Sequence, residues 1–335
     1  MDKNPKVKKA LFGKVENGKL SCGLCPHNCF LPEGSLGICG TRKNSGGELF
    51  TLIYGCVSSM GVDPIEKKPL YHFYPGSRIL SAGTVGCNFR CSFCQNWEIS
   101  QNTYFPCKFI GPEELVSFAV EKKSIGLAYT YSEPLIWYEY VLDCAKLCKS
   151  KGLKNVLVTN GYINQGPLKQ LLPYIDAMNV DLKSFSDNFY RKLCKGTLEP
   201  VLNTIRTVSG ACHMEVTNLL IPGQNDSESE IEDMSRWIEN NAGRGTPLHI
   251  SKYFPVYRFN APETGAEAIS AARDIALKHL DFVYAGNIDV PGSSDTLCPG
   301  CGALLIRRSG YNTEIKNLKK NICGKCGYEI NIINS

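Results

Sequence analysis

Between residues 79 and 285 short apolar runs alternate with longer amphipathic ones, and this alternation limits the fold more than any other feature of the chain. Strands are expected at 79–85, 125–130, 155–159, 177–182, 213–221, 248–254 and 282–285. A helix is expected from Pro112, where proline suits the first helical position and Glu113 and Glu114 suit the positive end. A second, 135–151, is stopped by Gly152, and others centre near Leu168, Val201, Ile231 and Ile269. Six or seven βα units result, as a (β/α) barrel or a doubly wound sheet; both place function at the carboxyl ends of the strands. A chain of 335 residues, 43% apolar and 21% charged, has room for one large globular domain with appendages. No segment approaches a membrane span, and the lysine-rich stretch Met1 to Ala10 lacks the apolar centre of a signal peptide, so a cytoplasmic location is expected. The formal charge of +5 is spread along the chain and selects no partner.

Seventeen cysteines carry the chemistry. Cys87, Cys91 and Cys94 follow the first expected strand in a C-x3-C-x2-C spacing, a match that chance would supply about 0.04 times in this composition. Three thiolates on an iron-sulfur cluster leave one iron without a protein ligand, open to a substrate or cofactor. Cys22, Cys25, Cys29 and Cys39 lie among Gly34, Gly37 and Gly40 and read as a small metal-bound module, holding zinc or a second iron-sulfur cluster, with His27 as an alternative ligand. Cys298, Cys301, Cys323 and Cys326 form two C-x2-C-Gly knuckles with the spacing of a zinc ribbon. Such clustering in a chain with no leader points to metal and reduced thiols in a low-oxygen setting. Cys56, Cys107, Cys144, Cys148, Cys194 and Cys212 show no ligand spacing and are expected to pack as apolar side chains.

The C-x3-C-x2-C spacing, with Phe93 before its last cysteine, resembles the radical S-adenosylmethionine (SAM) enzymes. More narrowly, Cys-Pro-His at 25–27, the run Asp-Pro-Ile-Glu-Lys-Lys-Pro-Leu-Tyr-His-Phe at 63–73 and Thr-Tyr-Ser-Glu-Pro at 130–134 resemble the AmmeMemoRadiSam-system radical SAM proteins, which are similar to pyruvate formate-lyase activating enzymes. The resemblance implies a [4Fe-4S] cluster on Cys87, Cys91 and Cys94, whose open iron chelates SAM and, once reduced, cleaves it to a 5′-deoxyadenosyl radical. It implies that Glu133, in place of the glutamate of a Gly-Gly-Glu-Pro motif, accepts hydrogen bonds from the SAM amino group, with Tyr131 and Ser132 standing where the family has glycines. Thr159, Asn160, Asp181 and Lys183 resemble activase residues around the SAM carboxylate and ribose, and Phe93 would pack on adenine near Asn96 or Trp97. Val158 replaces the activase aspartate that binds a monovalent cation. Beyond the cluster ligands the resemblance names no catalytic residue.

It also selects a fold, a partial (β/α)6-type TIM barrel, with an N-terminal cysteine-rich region and connector at 1–76, the radical SAM core at 77–290 and a zinc ribbon at 291–335. The expected partners are an electron donor such as flavodoxin or ferredoxin and a protein or peptide from which hydrogen is abstracted. A small metabolite is the alternative substrate, and a ribbon adaptor gripping nucleic acid through Arg307, Arg308, Lys316, Lys319 and Lys320 the alternative of another class; neither membrane nor nucleic acid is the expected partner. Lys67, Lys68, Tyr71 and His72 lie shortly before the cluster, where they either reach its mouth or pack in an interdomain crossing with solvated lysines, and His249 on a late strand would face the mouth if turned inward, although a lone histidine is more often structural. The tail holds none of these groups and reads as separable from the core.

Overall fold

The computed structural model describes residues 6–334; the first five residues of the basic N-terminal stretch and Ser335 lie outside it. Its centre is an eight-stranded sheet, β1 Ser59–Pro64, β2 Arg78–Gly83, β3 Gly126–Tyr129, β4 Lys154–Thr159, β5 Ala177–Asp181, β6 His213–Leu220, β7 Leu248–Lys252 and β8 Val283–Gly286, ordered in space as in sequence. Strands β2 to β8 are parallel, β1 is antiparallel to β2, and among the described residues the two edges of the sheet do not pair with each other. Helices α1 Pro112–Glu121, α2 Tyr138–Ser150, α3 Gln165–Leu171, α4 Glu199–Val208, α5 Glu228–Ala242 and α6 Ala266–Ala276 fill the crossovers.

The local reasons are those of the sequence. On α1 Pro112 opens the first turn and Leu115, Val116 and Ala119 face inward; α2 gives way to Gly152 at φ 71°, a conformation that glycine adopts without strain. Strand β1 was not expected. Ser-Met-Gly-Val-Asp-Pro lacks the apolar run of a central strand, and it exists because an edge tolerates glycine and a terminal proline.

Two smaller assemblies flank the sheet. N-terminally, Lys8–Lys9, Arg42–Ser45 and Glu48–Thr51 form one small sheet and Gly13–Glu16, Lys19–Cys22 and Phe30–Leu31 another. They are tied to the core by Arg42, whose Nη2 donates to Glu139 Oε1 on α2 at 2.5 Å, both side chains being almost fully buried. At the other end, hairpin strands β9 Leu304–Ser309 and β10 Asn312–Ile315 carry Leu305 and Ile306 into one buried cluster with Leu318, Ile330, Ile332, Tyr71, Phe282 and Tyr284. Ile333 bridges Phe73 in parallel. The tail expected to be separable thus shares its buried cluster with Tyr71, Phe282 and Tyr284 of the rest of the chain.

A second correction concerns Cys56 and Cys107, which form a disulfide with their Cα atoms 5.4 Å apart. Antiparallel pairing of Cys56–Val57 with Lys108–Phe109 brings together segments 51 residues distant, a relation that local spacing does not reveal. Cys144 and Cys148 are buried on the inner face of α2, as their i, i+4 spacing suggests.

Candidate active site

The loop after β2 carries Cys87, Cys91 and Cys94. It leaves the strand through Gly86 at φ 85°, where an added Cβ would fall 2.6 Å from Thr41 Cγ2 and 2.9 Å from the Cys39 carbonyl oxygen, so only glycine fits. Polar hydrogens converge on the sulfurs: Phe89 N lies 3.3 Å from Cys87 Sγ, Asn160 Nδ2 lies 3.6 Å from it, and Ser100 Oγ lies 3.1 Å from Cys94 Sγ. Burial pushes the Cys87 thiol up, and a hydrogen bond to Cys194 followed by burial does the same for Cys91, so a bound metal must displace their protons. Cys194, which spacing did not single out, thus lies directly against Cys91.

Facing this loop is the end of β3. Tyr131 holds φ 72°, a glycine-like conformation, in a position where the resemblance expects glycine. Its hydroxyl donates to Asp63 Oδ2 at 2.7 Å and its carbonyl accepts from Asn96 Nδ2 at 2.7 Å. Two residues on, the fully buried Glu133 Oε1 accepts from Leu135 N at 2.9 Å and Thr159 Oγ1 at 2.7 Å, and Oε2 accepts from Asn160 N at 2.9 Å. Burial, opposed by these bonds, pushes its carboxyl up to about 7. A carboxylate offers about four lone-pair sites. Three are taken, and the fourth, on Oε2, is free for a cationic donor.

The carboxyl ends of β3, β4 and β5 bring these groups to one cavity of about 410 Å³. Cys87, Cys91, Cys94, Phe93, Glu133, Thr159, Asn160, Asp181 and Lys183 all line it. Phe93 is buried and packs on Phe189, with ring centroids 5.6 Å apart, and Lys183 Nζ pairs with Asp181 Oδ2 at 3.0 Å. Val158 also lines the cavity. Asn96 lies on its wall, whereas Trp97 stacks on Tyr257 at 5.1 Å. The Ser132 hydroxyl on the same wall is buried without a partner, one more polar atom suited to a polar ligand. Three thiols on one side and an acceptor, donors and an aromatic ring on the other are a donor set that fits a cluster together with an amino-acid-like, nucleoside-bearing cofactor.

Lys67 and Lys68 reach the cavity. Lys68 is almost completely buried, with its Nζ 2.7 Å from Asp63 Oδ2. Tyr71 and His72 do not reach it: their backbone nitrogens donate to Glu215 Oε2 and Oε1 at 3.0 and 2.7 Å, and His72 Nε2 meets the Tyr284 hydroxyl at 2.6 Å. His249 takes the structural role that a lone histidine more often has. Its ring lies 2.6 Å from Glu215 Oε2, and Ser251, two residues further along the same face of β7, takes the cavity position. Period-two reading past His249 would have found Ser251. Nothing in the sequence pointed to Tyr311, which the turn between β9 and β10 sets on the cavity wall, so the tail does contribute to the site.

Away from the cavity, the four tail sulfurs lie within 4.8 Å of one another, with Cys298 to Cys326 at 3.6 Å and Cys301 to Cys323 at 3.8 Å. Four Zn–S bonds of about 2.3 Å in a tetrahedron require sulfurs about 3.8 Å apart. His27 is engaged otherwise than as a ligand through Nε2, which lies 2.7 Å from the Asn88 carbonyl oxygen.

Residues 82–238, which span the cluster loop and the cavity's strand ends, match the model of the radical SAM superfamily. An uncharacterized protein of Methanocaldococcus jannaschii is 42% identical over 335 residues, covering 98% of this chain and 100% of its own. The chain belongs to the radical SAM superfamily. Within that superfamily, the pyruvate formate-lyase-activating enzyme of Clostridium pasteurianum is 25% identical over 167 residues, 46% of this chain and 67% of that protein. The crystal structure of a radical SAM methyltransferase from Sphaerobacter thermophilus shares the fold, with a TM-score of 0.50 and 16% identity over 64% of this chain and 67% of that one. Radical SAM membership implies a [4Fe-4S] cluster and SAM, and the cavity's donor set fits both.

Proposed function

We propose that this radical SAM protein is activase-like, abstracting hydrogen from a partner protein or peptide. The observation that carries the reading is the meeting of Cys87, Cys91 and Cys94 with Glu133, Thr159, Asn160, Asp181 and Lys183 around one cavity. Similarity to an activating enzyme supports the subtype. When bound, the cluster and SAM supply a 5′-deoxyadenosyl radical that takes a hydrogen atom from the substrate.

The chain's own residues prepare that step. Cys87, Cys91 and Cys94 would hold the cluster by three of its irons. Glu133 Oε2 would accept from the SAM amino group, while Thr159 Oγ1 and Asn160 N fix the carboxylate's orientation. Asp181 and Lys183 would hold the ribose and carboxylate, and Phe93 would cover the adenine. Lys67, Lys68 and Tyr311 line the substrate side of the cavity and limit water there. Cys298, Cys301, Cys323 and Cys326 hold one zinc in the ribbon at 291–335; the core at 77–290 and the N-terminal region at 1–76 complete the organisation. A low-potential donor of the flavodoxin or ferredoxin kind supplies electrons in an oxygen-poor cytoplasm. No described helix is long and apolar enough to cross a membrane.

A small-metabolite substrate is the second reading, for which Tyr311 of the tail supplies one more wall of the cavity. The nucleic-acid adaptor loses support because Arg308 is buried and its Nη2 donates to the Tyr71 carbonyl at 2.7 Å. Anaerobic reconstitution with SAM and reductant tests the core reading by measuring 5′-deoxyadenosine. Deuterium entering that product from labelled cell protein supports the activase subtype, and deuterium entering only from a small-molecule fraction replaces it with the second reading.

A further inference from the structure

Two cysteine groups outside the cavity have different geometries. Among the described residues, only the tail cysteines form a group of three or more ligand atoms within 4.8 Å of one another, the spacing of a single ion. Neither Cys87, Cys91 and Cys94 nor Cys22, Cys25, Cys29 and Cys39 form so tight a group, and thiolates that each bind a different iron need none. The N-terminal four nevertheless face one another: an added Cβ on Gly37 would sit 3.6 Å from Cys29 Sγ and 3.7 Å from Cys39 Sγ. The Cys22 backbone nitrogen donates to the Cys29 carbonyl oxygen at 2.9 Å, which ties the first and third of the four together.

The sulfurs are also furnished with donors. Ile38 N reaches Cys29 Sγ at 3.4 Å and Thr41 Oγ1 reaches Cys39 Sγ at 3.2 Å, while the backbone at Leu24 and His27 serves Cys22 and Cys25. Beside Cys22 and Cys39 lies Arg42, fully buried, whose Nε has no partner although its other nitrogens bond Leu11 O and Glu139. A buried guanidinium edge left unpaired next to two thiols suits an anionic metal-thiolate group.

The module is pressed against the loop of the first cluster. The Cys39 carbonyl oxygen packs on Gly86, the neighbour of Cys87. Arg90 donates to the carbonyls of both Cys87 and Ile38, and His27 Nε2 meets the Asn88 carbonyl. Four thiolates close a cluster to substrate and leave it electron transfer as its chemistry.

We infer that Cys22, Cys25, Cys29 and Cys39 hold a second iron-sulfur cluster that passes electrons to the one on Cys87, Cys91 and Cys94. One electron leaves the reduced N-terminal cluster and enters its neighbour, no bond is made or broken, and a low-potential flavin or iron-sulfur protein replaces the electron. The relay rests on the radical SAM reading; the metal assignment does not.

The test uses the full chain with Cys87, Cys91 and Cys94 all changed to alanine, reconstituted anaerobically with iron and sulfide. About two to four iron ions with matching sulfide should remain, together with an electron paramagnetic resonance signal on dithionite reduction that SAM does not alter. Further Cys25→Ser and Cys29→Ser changes should remove both iron and signal. Zinc in place of iron, or no metal, in the triple variant overturns the assignment whatever the fate of SAM cleavage. For the relay, Cys25→Ser/Cys29→Ser in the otherwise native chain should slow reduction of the remaining cluster by reduced flavodoxin at least about tenfold, with dithionite still reducing it. An unchanged flavodoxin rate overturns the relay.

Discussion

The guanidinium of Arg308 lies 4.2 Å above the ring of Tyr71 and donates to its carbonyl oxygen, joining residues 237 apart in sequence. Its Nη1 donates to Thr296 Oγ1 at 2.7 Å and to the Ser294 carbonyl at 3.0 Å. Removing 294–335 exposes Tyr71, Tyr284 and Phe282, and the truncated chain is expected to lose thermal cooperativity and iron together. Arg308→Ala isolates one part of this, with an expected loss of about 2 kcal/mol or more from bonds to a charged donor. Urea denaturation of both variants decides; a truncated chain as stable as the parent would restore a separable tail.

Glu133→Gln should weaken SAM binding about tenfold or more, because it replaces a charged acceptor with a neutral amide of the same shape. Iron content should be unchanged, since no metal ligand is lost. Alanine is the poorer probe, as it leaves Leu135 N, Thr159 Oγ1 and Asn160 N facing an empty space. Equilibrium binding at fixed iron occupancy measures the effect, and equal affinity would remove Glu133 from the SAM site.

Beneath the cavity, burial alone would raise the Glu215 carboxyl, yet hydrogen bonds from His213 and His249 hold it well below its ordinary 4.5. A depressed folded value contributes stability that is present above the unfolded value and lost as pH falls through the folded one. Unfolding free energy should therefore drop on acidification below about pH 4.3. Glu215→Gln should cost about 3–5 kcal/mol at neutral pH, as expected on breaking a buried pair, and should flatten the acid limb. Denaturation series at several pH values test both slopes.

At the tail, one zinc per chain is expected, and Cys301→Ser should release it while leaving iron bound. Because metal binding by these four thiols is coupled to the folding of the knuckles that carry them, the variant should also melt earlier. Metal analysis beside a thermal scan separates the outcomes, and iron in place of zinc at this site would refute the assignment.

Much of the cavity was legible because its residues stand at strand ends, which period-two and amphipathic patterning locate from local sequence. Glu133, Thr159 and Asp181 were singled out at those ends by resemblance to radical SAM motifs, and the cysteine loop by its spacing. Residues beyond reach are those brought in by pairing over long separations. Strand β1 depends on β2 for its hydrogen bonds, Tyr311 arrives on a hairpin whose docking is decided by Tyr71 and Tyr284, and Cys56 meets Cys107 only through an antiparallel ladder. For His249 the strand pattern leaves both roles open: one face of β7 holds both buried and cavity-facing residues, and depth along a strand is not written in its alternation.

The order of the strands has a consequence for how the protein is made. Each new strand from β2 to β8 adds beside its predecessor, so the sheet can lengthen at one growing edge in step with translation, each addition closing one crossover. Phe73, by contrast, waits for Ile333, and Tyr71 for Arg308. Until synthesis reaches those residues the nascent sheet carries an uncovered aromatic patch at Tyr71, Phe282 and Tyr284, the interval in which a chaperone has most to shield.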